Sequence, residues 1–132
     1  MRDVLSYSIS PMLLGNNKCS RRLARRLFWR FGVRSCIFDV KGSRELDLMI
    51  SASFSPLPAT YDDEFMILCF EKFALEMDDL TFMIVPCTRD AEDLLQRNSH
   101  RLEKRFIIRT PSDIDRAIRL RSKTPYAKKG IS

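Results

Sequence analysis

One histidine, four scattered cysteines and four glycines are a thin supply of reactive and turn-forming residues for a chain of 132. Cys19, Cys36, Cys69 and Cys87 contain no C-x-x-C pair and no metal-ligand spacing, which argues against a zinc or dithiol motif. Cys36 and Cys69 sit inside apolar patterns and read as small buried hydrophobes. Reduced thiols, and with them a cytoplasmic location, are expected. His100 is the sole imidazole and reads as a surface or helix-end residue, so Cys–His catalysis is not expected. Apolar runs are as short as residues 82–85, far below the roughly 20 residues of a membrane span. The opening residues carry Arg2 and Asp3 and form no apolar signal core. The second and third glycines of a dinucleotide fingerprint are missing after Gly15, so NAD is not expected.

What is abundant is charge, and it comes in blocks beneath a net +6. Residues 1–44 carry ten basic and two acidic side chains, residues 45–93 two basic and twelve acidic, and the remainder eleven basic and three acidic. A nucleic-acid binder usually presents one continuous basic face, and no interleaved exposed aromatics or recognised module accompany these blocks, so nucleic acid ranks last among partners. Either the acidic middle neutralises both basic ends on folding, or the blocks mark complementary surfaces for a partner.

The apolar pattern predicts alternating strands and helices. A buried strand over residues 8–14 runs into the Gly15-Asn16-Asn17-Lys18 turn and a helix over 18–31, capped by Asn16 or Asn17. Leu23, Leu27 and Phe31, widened by Ala24 and Phe28, form its inner stripe, and Arg21, Arg22, Arg25, Arg26 and Arg30 fall mainly on the other side. Gly32 ends it. A second strand follows over 35–39, then a turn over 41–44 and a short third strand over 48–54, with Pro56 and Pro58 breaking regular structure. A long helix over 61–77 is expected to bury Phe65, Leu68, Cys69, Phe73 and Met77, with Asp62, Asp63 and Glu64 complementing its dipole and Asp78-Asp79 turning out of it. Residues 81–87 are apolar on both faces, as a central parallel strand should be. Thr88 caps a helix carrying Ala91, Leu94 and Leu95; a short strand covers 106–108; Thr110 and Pro111 start a last helix with Ile114, Ala117, Ile118 and Leu120. The expectation is one three-layer αβα Rossmann-like domain over residues 1–120, with a mostly parallel sheet of four or five strands, and a basic, fraying tail over 121–132.

In such a fold, ligands bind beyond the carboxyl ends of the strands. The candidate ligand-binding residues are therefore Gly15, Asn16, Asn17 and Lys18 after the first strand, Asp39 after the second, and Cys87, Thr88 and Arg89 after the fourth. Lys18 and the helix amides offer an anion site, and Asp39 stands where a ribose-binding acid would be. Against these stand plainer roles: a simple reversal at Gly15, an ordinary strand-end acid at Asp39, a cap at Thr88 and an Arg89–Asp93 pair one helical turn apart. No catalytic or metal-binding residue is expected.

Leu13-Leu14-Gly15, Leu23-Ala24-Arg25, Phe31-Gly32 with Ser35 beyond, Ile84-Val85-Pro86-Cys87, and residues 98–102 followed by Arg105-Phe106-Ile107-Ile108 come in an order and spacing that resembles the amino-terminal region of ATP-grasp carboxylate–amine ligases, a group that includes D-aspartate ligase. The resemblance spans roughly residues 11–110. It implies a pre-ATP-grasp domain, a small Rossmann-like unit that helps bind the carboxylate or amine substrate and packs against the catalytic module. The family phosphorylates a carboxylate with ATP and lets an amine attack the acyl phosphate. Its phosphate-binding lysines, glycine-rich lid and magnesium ligands belong to later domains, so ATP and magnesium are implied only for a module outside this chain. The expectation is a substrate-binding or docking domain of a truncated or split ligase, inactive alone, whose partners are an ATP-grasp polypeptide or a second copy and a small carboxylate or amino acid. The alternative is a self-contained binder of a small anionic ligand, a nucleotide or carboxylate metabolite.

Overall fold

Strand β1 (Ile9–Leu14) is the centre of a five-stranded, all-parallel sheet. On one side of it lie β2 (Ser35–Asp39) and then β3 (Ala52–Pro56); on the other lie β4 (Thr81–Pro86) and then the two-residue β5 (Ile107–Ile108). The structure, a computed structural model, describes residues 9–59, 62–77 and 80–123. The expected tail beyond residue 123, strand position 8, Tyr61 and the Asp78-Asp79 turn lie outside the described residues. The β1–β4 ladder is the longest, from Ile9 opposite Thr81 to Leu14 opposite Pro86. The strand order β3-β2-β1-β4-β5 makes this a Rossmann-like three-layer domain, with its topological switch point between β1 and β4.

Side chains alternate across the pleat and feed two cores. Leu13, Ile37, Met83 and Val85 meet Leu23, Ala24 and Leu27 of α1 (Lys18–Phe31) and Ile114 and Ile118 of α6 (Pro111–Lys123). The short α2 (Arg44–Asp47) adds Leu46 to the same side. Met12, Leu14, Phe38, Phe82 and Ile84 meet α3 (Asp63–Glu76), α4 (Arg89–Arg97) and the single-turn α5 (Ser99–Leu102) on the other. Phe73 links the strands there by edge-to-face contacts with Phe38 at 5.1 Å and Phe82 at 5.7 Å between ring centres.

Three expectations are corrected. The third strand runs over 52–56, not 48–54, because Ser43 accepts the Leu46 N–H and starts α2 at Arg44, where a turn was expected. Pro56 is thus inside a strand. It is tolerated because β3 is an edge: Ser35 donates to Ser51 O and Leu57 to Asp39 O, so the even-numbered positions of β3 turn their backbone groups outward. The third correction is the inner face of α3. Met66, Ile67, Phe70 and Ala74 are buried, whereas Phe65, Leu68 and Met77 are exposed. The run Phe65-Met66-Ile67-Leu68-Cys69-Phe70 is apolar on every side, so its periodicity leaves the buried stripe undecided, and packing on Phe38 and Phe82 selects it.

The sheet edges are short and blunted. Arg34 covers outward carbonyls of the β3 edge, donating from Nε to Ile50 O at 2.9 Å and from Nη2 to Ala52 O at 3.2 Å, and Pro56 offers no N–H. Such edges discourage strand addition by another chain.

Candidate functional site

The carboxyl ends of β1, β2 and β4 meet at the switch point, and the turn after β1 is built to stay close to its neighbours. Gly15 has φ +114° and donates its N–H to Phe38 O at 2.8 Å. A Cβ at this position would lie 2.5 Å from Thr88 Cγ2, so both conformation and space require glycine. The turn is wedged between the ends of two neighbouring strands.

Asn16 ties the turn to the loop after β2. Its N–H donates to Asp39 Oδ2 at 2.6 Å, its Nδ2 donates to Ser43 Oγ at 3.1 Å, and its Oδ1 accepts from Arg21 Nη1 at 2.8 Å. Asn17 ties it to the other side. Its Oδ1 accepts from Ser20 N–H at 2.9 Å, Ser20 Oγ accepts the Asn17 N–H at 3.0 Å, and Asn17 Nδ2 donates to Cys87 O at 3.0 Å. Asn17, not Asn16, is therefore the cap of α1, and it forms a reciprocal capping box with Ser20. The second oxygen of Asp39 accepts the Val40 N–H at 2.6 Å. Thr88 Oγ1 accepts the Ala91 N–H at 3.1 Å and caps α4.

Six of the eight expected residues therefore meet: Asn16 bonds Asp39, Asn17 bonds Cys87, and Gly15 lies close against Thr88. Lys18 and Arg89 do not join it; both are exposed at helix starts, and no ion pair links Arg89 to Asp93 among the described residues. Cys87 packs against the α1-side core with Sγ 3.7 Å from Val85 O. Burial, with the neighbouring Cys19 thiol adding to it, pushes the Cys87 thiol up to about 12, which favours the protonated form near neutral pH.

Beside this cluster a crevice of about 490 Å³ opens between the β1 and β2 ends, α3 and α4. Gly15, Asp39 and Thr88 line it together with an apolar floor that includes Phe38, Met66 and Phe70. No family model and no curated protein sequence matches the chain. The wall of the crevice is acidic, with Asp39, Asp63, Asp90 and Asp93, and Arg97 is its one basic residue among the described residues.

Sequence reasoning missed that wall. Asp62-Asp63-Glu64 reads as a dipole complement, and Asp62 does cap α3 by accepting the Phe65 N–H at 2.9 Å. Asp63 has a second task. It takes a two-pronged bond from Arg97, Nε at 2.8 Å and Nη2 at 2.9 Å, and a third from Asn98 Nδ2 at 2.9 Å. The Arg97 and Asn98 bonds hold its carboxyl at about 2. The only sequence signal is that Asp63 and Arg97 each open or close a helix flanking the same strand end, which becomes visible once the topology is known. Asp90 and Asp93 lie in the field of Arg97 but accept no hydrogen bond among the described residues. Those two carboxylates are the groups free to meet a ligand. Among the described residues no cluster could hold a metal ion, and no helix is long and apolar enough to cross a membrane.

Proposed function

We propose that this chain is a substrate-binding or docking domain of the pre-ATP-grasp kind, which works beside a separate ATP-using carboxylate–amine ligase module and carries out no chemistry alone. The observation that carries the reading is the strand-end crevice at the switch point, where Rossmann-like domains place ligands. Its groups bind rather than react: Asp39 is taken up by two amides, Asp63 by Arg97 and Asn98, and Cys87 is held as a thiol. Asp90 and Asp93 over an apolar floor suit a ligand that carries an amine on a short apolar body. They disfavour the self-contained anion binder, because a phosphate or dicarboxylate entering here meets like charge.

The test is a thermal-shift screen of the chain against amino acids, simple amines, dicarboxylates, inorganic phosphate and nucleotides. A ligand at a hundredfold its dissociation constant stabilises a fold by roughly 2.7 kcal/mol. An amine-bearing ligand is expected to shift the transition, and Asp93→Asn to weaken that shift without changing unliganded stability. A shift with phosphate or nucleotide alone would favour the anion binder. ATP turnover by the isolated chain in the presence of amino acids would overturn the ligase-partner reading.

A further inference from the structure

The three charge blocks neutralise one another only in part: Arg97 and Arg101 pair with Asp63, Glu64 and Glu71, while the sheet keeps the rest on opposite faces. Helices α1, α2 and α6 share one face. Up to residue 120 they carry nine basic side chains (six on α1 alone) and four acidic ones. Helices α3, α4 and α5 share the opposite face and, with the cap Asp62, carry eight acidic and four basic side chains. The crossover from β3 through α3 to β4 sends the acidic middle of the chain across the sheet, and α6 brings the basic end back.

The exposed apolar side chains divide the same way. On the basic face Trp29, 72 % exposed, and Leu48, 75 % exposed, line one shallow cavity with Ile50 and Arg25. On the acidic face Leu75, 62 % exposed, and Leu68, 48 % exposed, continue a stripe begun by Phe65 on α3. Arginine and tryptophan around an apolar patch make up the composition of an interface centre. Each face therefore offers what the other lacks in charge and matches it in apolar surface. The blunted β3 edge and the two-residue β5 leave the faces, not the edges, as the surfaces for a partner.

We infer that copies of this chain associate head to tail, the arginine-rich α1 face around Trp29 seating on the acidic α3 face of the next copy. Charge complementarity selects a second copy as the occupant, because both halves of the interface are present on every molecule. The two halves lie on opposite sides of the sheet, so the contact is heterologous and does not close at a two-fold dimer. The crevice opens on the α3 and α4 side and shares Asp63, Asp90 and Asp93 with the acidic face, but Phe65, Leu68 and Leu75 do not line it.

Sedimentation velocity over a range of concentrations is the test, with fluorescence of Trp29, the only tryptophan, as a second readout. The average mass is expected to climb without a plateau at dimer, Trp29 emission to shift to the blue, and both to reverse as salt screens the faces. Trp29→Asp and Leu68→Asp, each altering an exposed side chain, are each expected to abolish self-association. Mixed together they should form a 1:1 dimer that grows no further, because each retains the face the other has lost. A wild-type chain that stays monomeric at low salt overturns the proposal. So does a plateau at dimer, or a mixture of the two variants that stays monomeric.

Discussion

Helices α1 and α3 are both fourteen residues long and cover opposite faces of one sheet, yet they reach their places by different means. In α1 the apolar stripe Leu23, Ala24 and Leu27 is clean, because five arginines fill most of the remaining surface. Its rotation is set by its own amphipathicity. In α3 the apolar residues run around the helix, and the sheet decides which of them are inside. A helix that specifies its own orientation leaves a charged exterior; one that borrows its orientation from the sheet leaves an apolar one. That is why the basic face is dominated by arginine and the acidic face by a stripe of exposed leucine and phenylalanine.

The comparison breaks most readily at α3. Phe70 is fully buried and touches Phe38 edge-to-face at 5.9 Å, so Phe70→Ala should cost about 3–5 kcal/mol of stability. Leu68→Ala, two residues away and half exposed, should stay within about 0.5 kcal/mol. Leu27→Ala on α1, fully buried, should cost about 2–5 kcal/mol. Urea unfolding at micromolar concentration reads all three. Equal losses at Leu68 and Phe70 would mean that α3 is rotated from the orientation described here.

The same contrast explains what was legible in the sequence. Strands β1, β2 and β4 and helices α1 and α4 were readable because each combines a single periodicity with a terminal signal, such as Asn17, Gly32 or Thr88. The sheet's parallel, Rossmann-like plan followed from their order. Strand β3 was misplaced by a few residues because Leu48, Met49 and Ile50 are apolar yet belong to the loop after α2, while Ser53 and Ser55 in the strand are polar. An edge strand covered by little has no strong pattern to read. For the site, glycine and asparagine marked the turn after β1, since short-range chemistry is written locally. The acidic crevice wall was not legible, because Asp63, Asp90, Asp93 and Arg97 come together only through the β3–α3–β4 crossover.

A smaller effect sharpens the comparison at the junction of the two faces. Gly15→Ala forces a side chain into a left-handed backbone and against Thr88 Cγ2, at a cost of about 1–3 kcal/mol for the backbone conformation alone. Thr88→Ser removes that methyl group and keeps the hydroxyl that caps α4. The double variant should therefore lose less stability than the two single losses added together. Strict additivity in this cycle would show that the methyl contact is not what excludes a side chain at Gly15.

The smallest effect concerns the acidic face alone. Asp63 titrates at about 2 in the folded chain against 3.8 for the unperturbed carboxyl, chiefly through its bonds to Arg97 and Asn98. A depressed carboxyl stabilises the folded state above its unfolded pKa, and that contribution is lost as pH falls through the folded value. Wild type should therefore exceed Asp63→Asn in urea midpoint near neutral pH. The gap should close between about pH 4 and pH 2, leaving nothing below. Arg97 is exposed and Asp63 partly so, which makes the gap modest and lets it shrink with salt. Because Asp63 also borders Asp90 and Asp93 in the crevice, a gap that widened toward low pH would mean that repulsion within the acidic wall outweighs the Arg97 bond. The two faces would then differ in more than the sign of their charge: one would be relieved, and the other strained, by the carboxylates it holds.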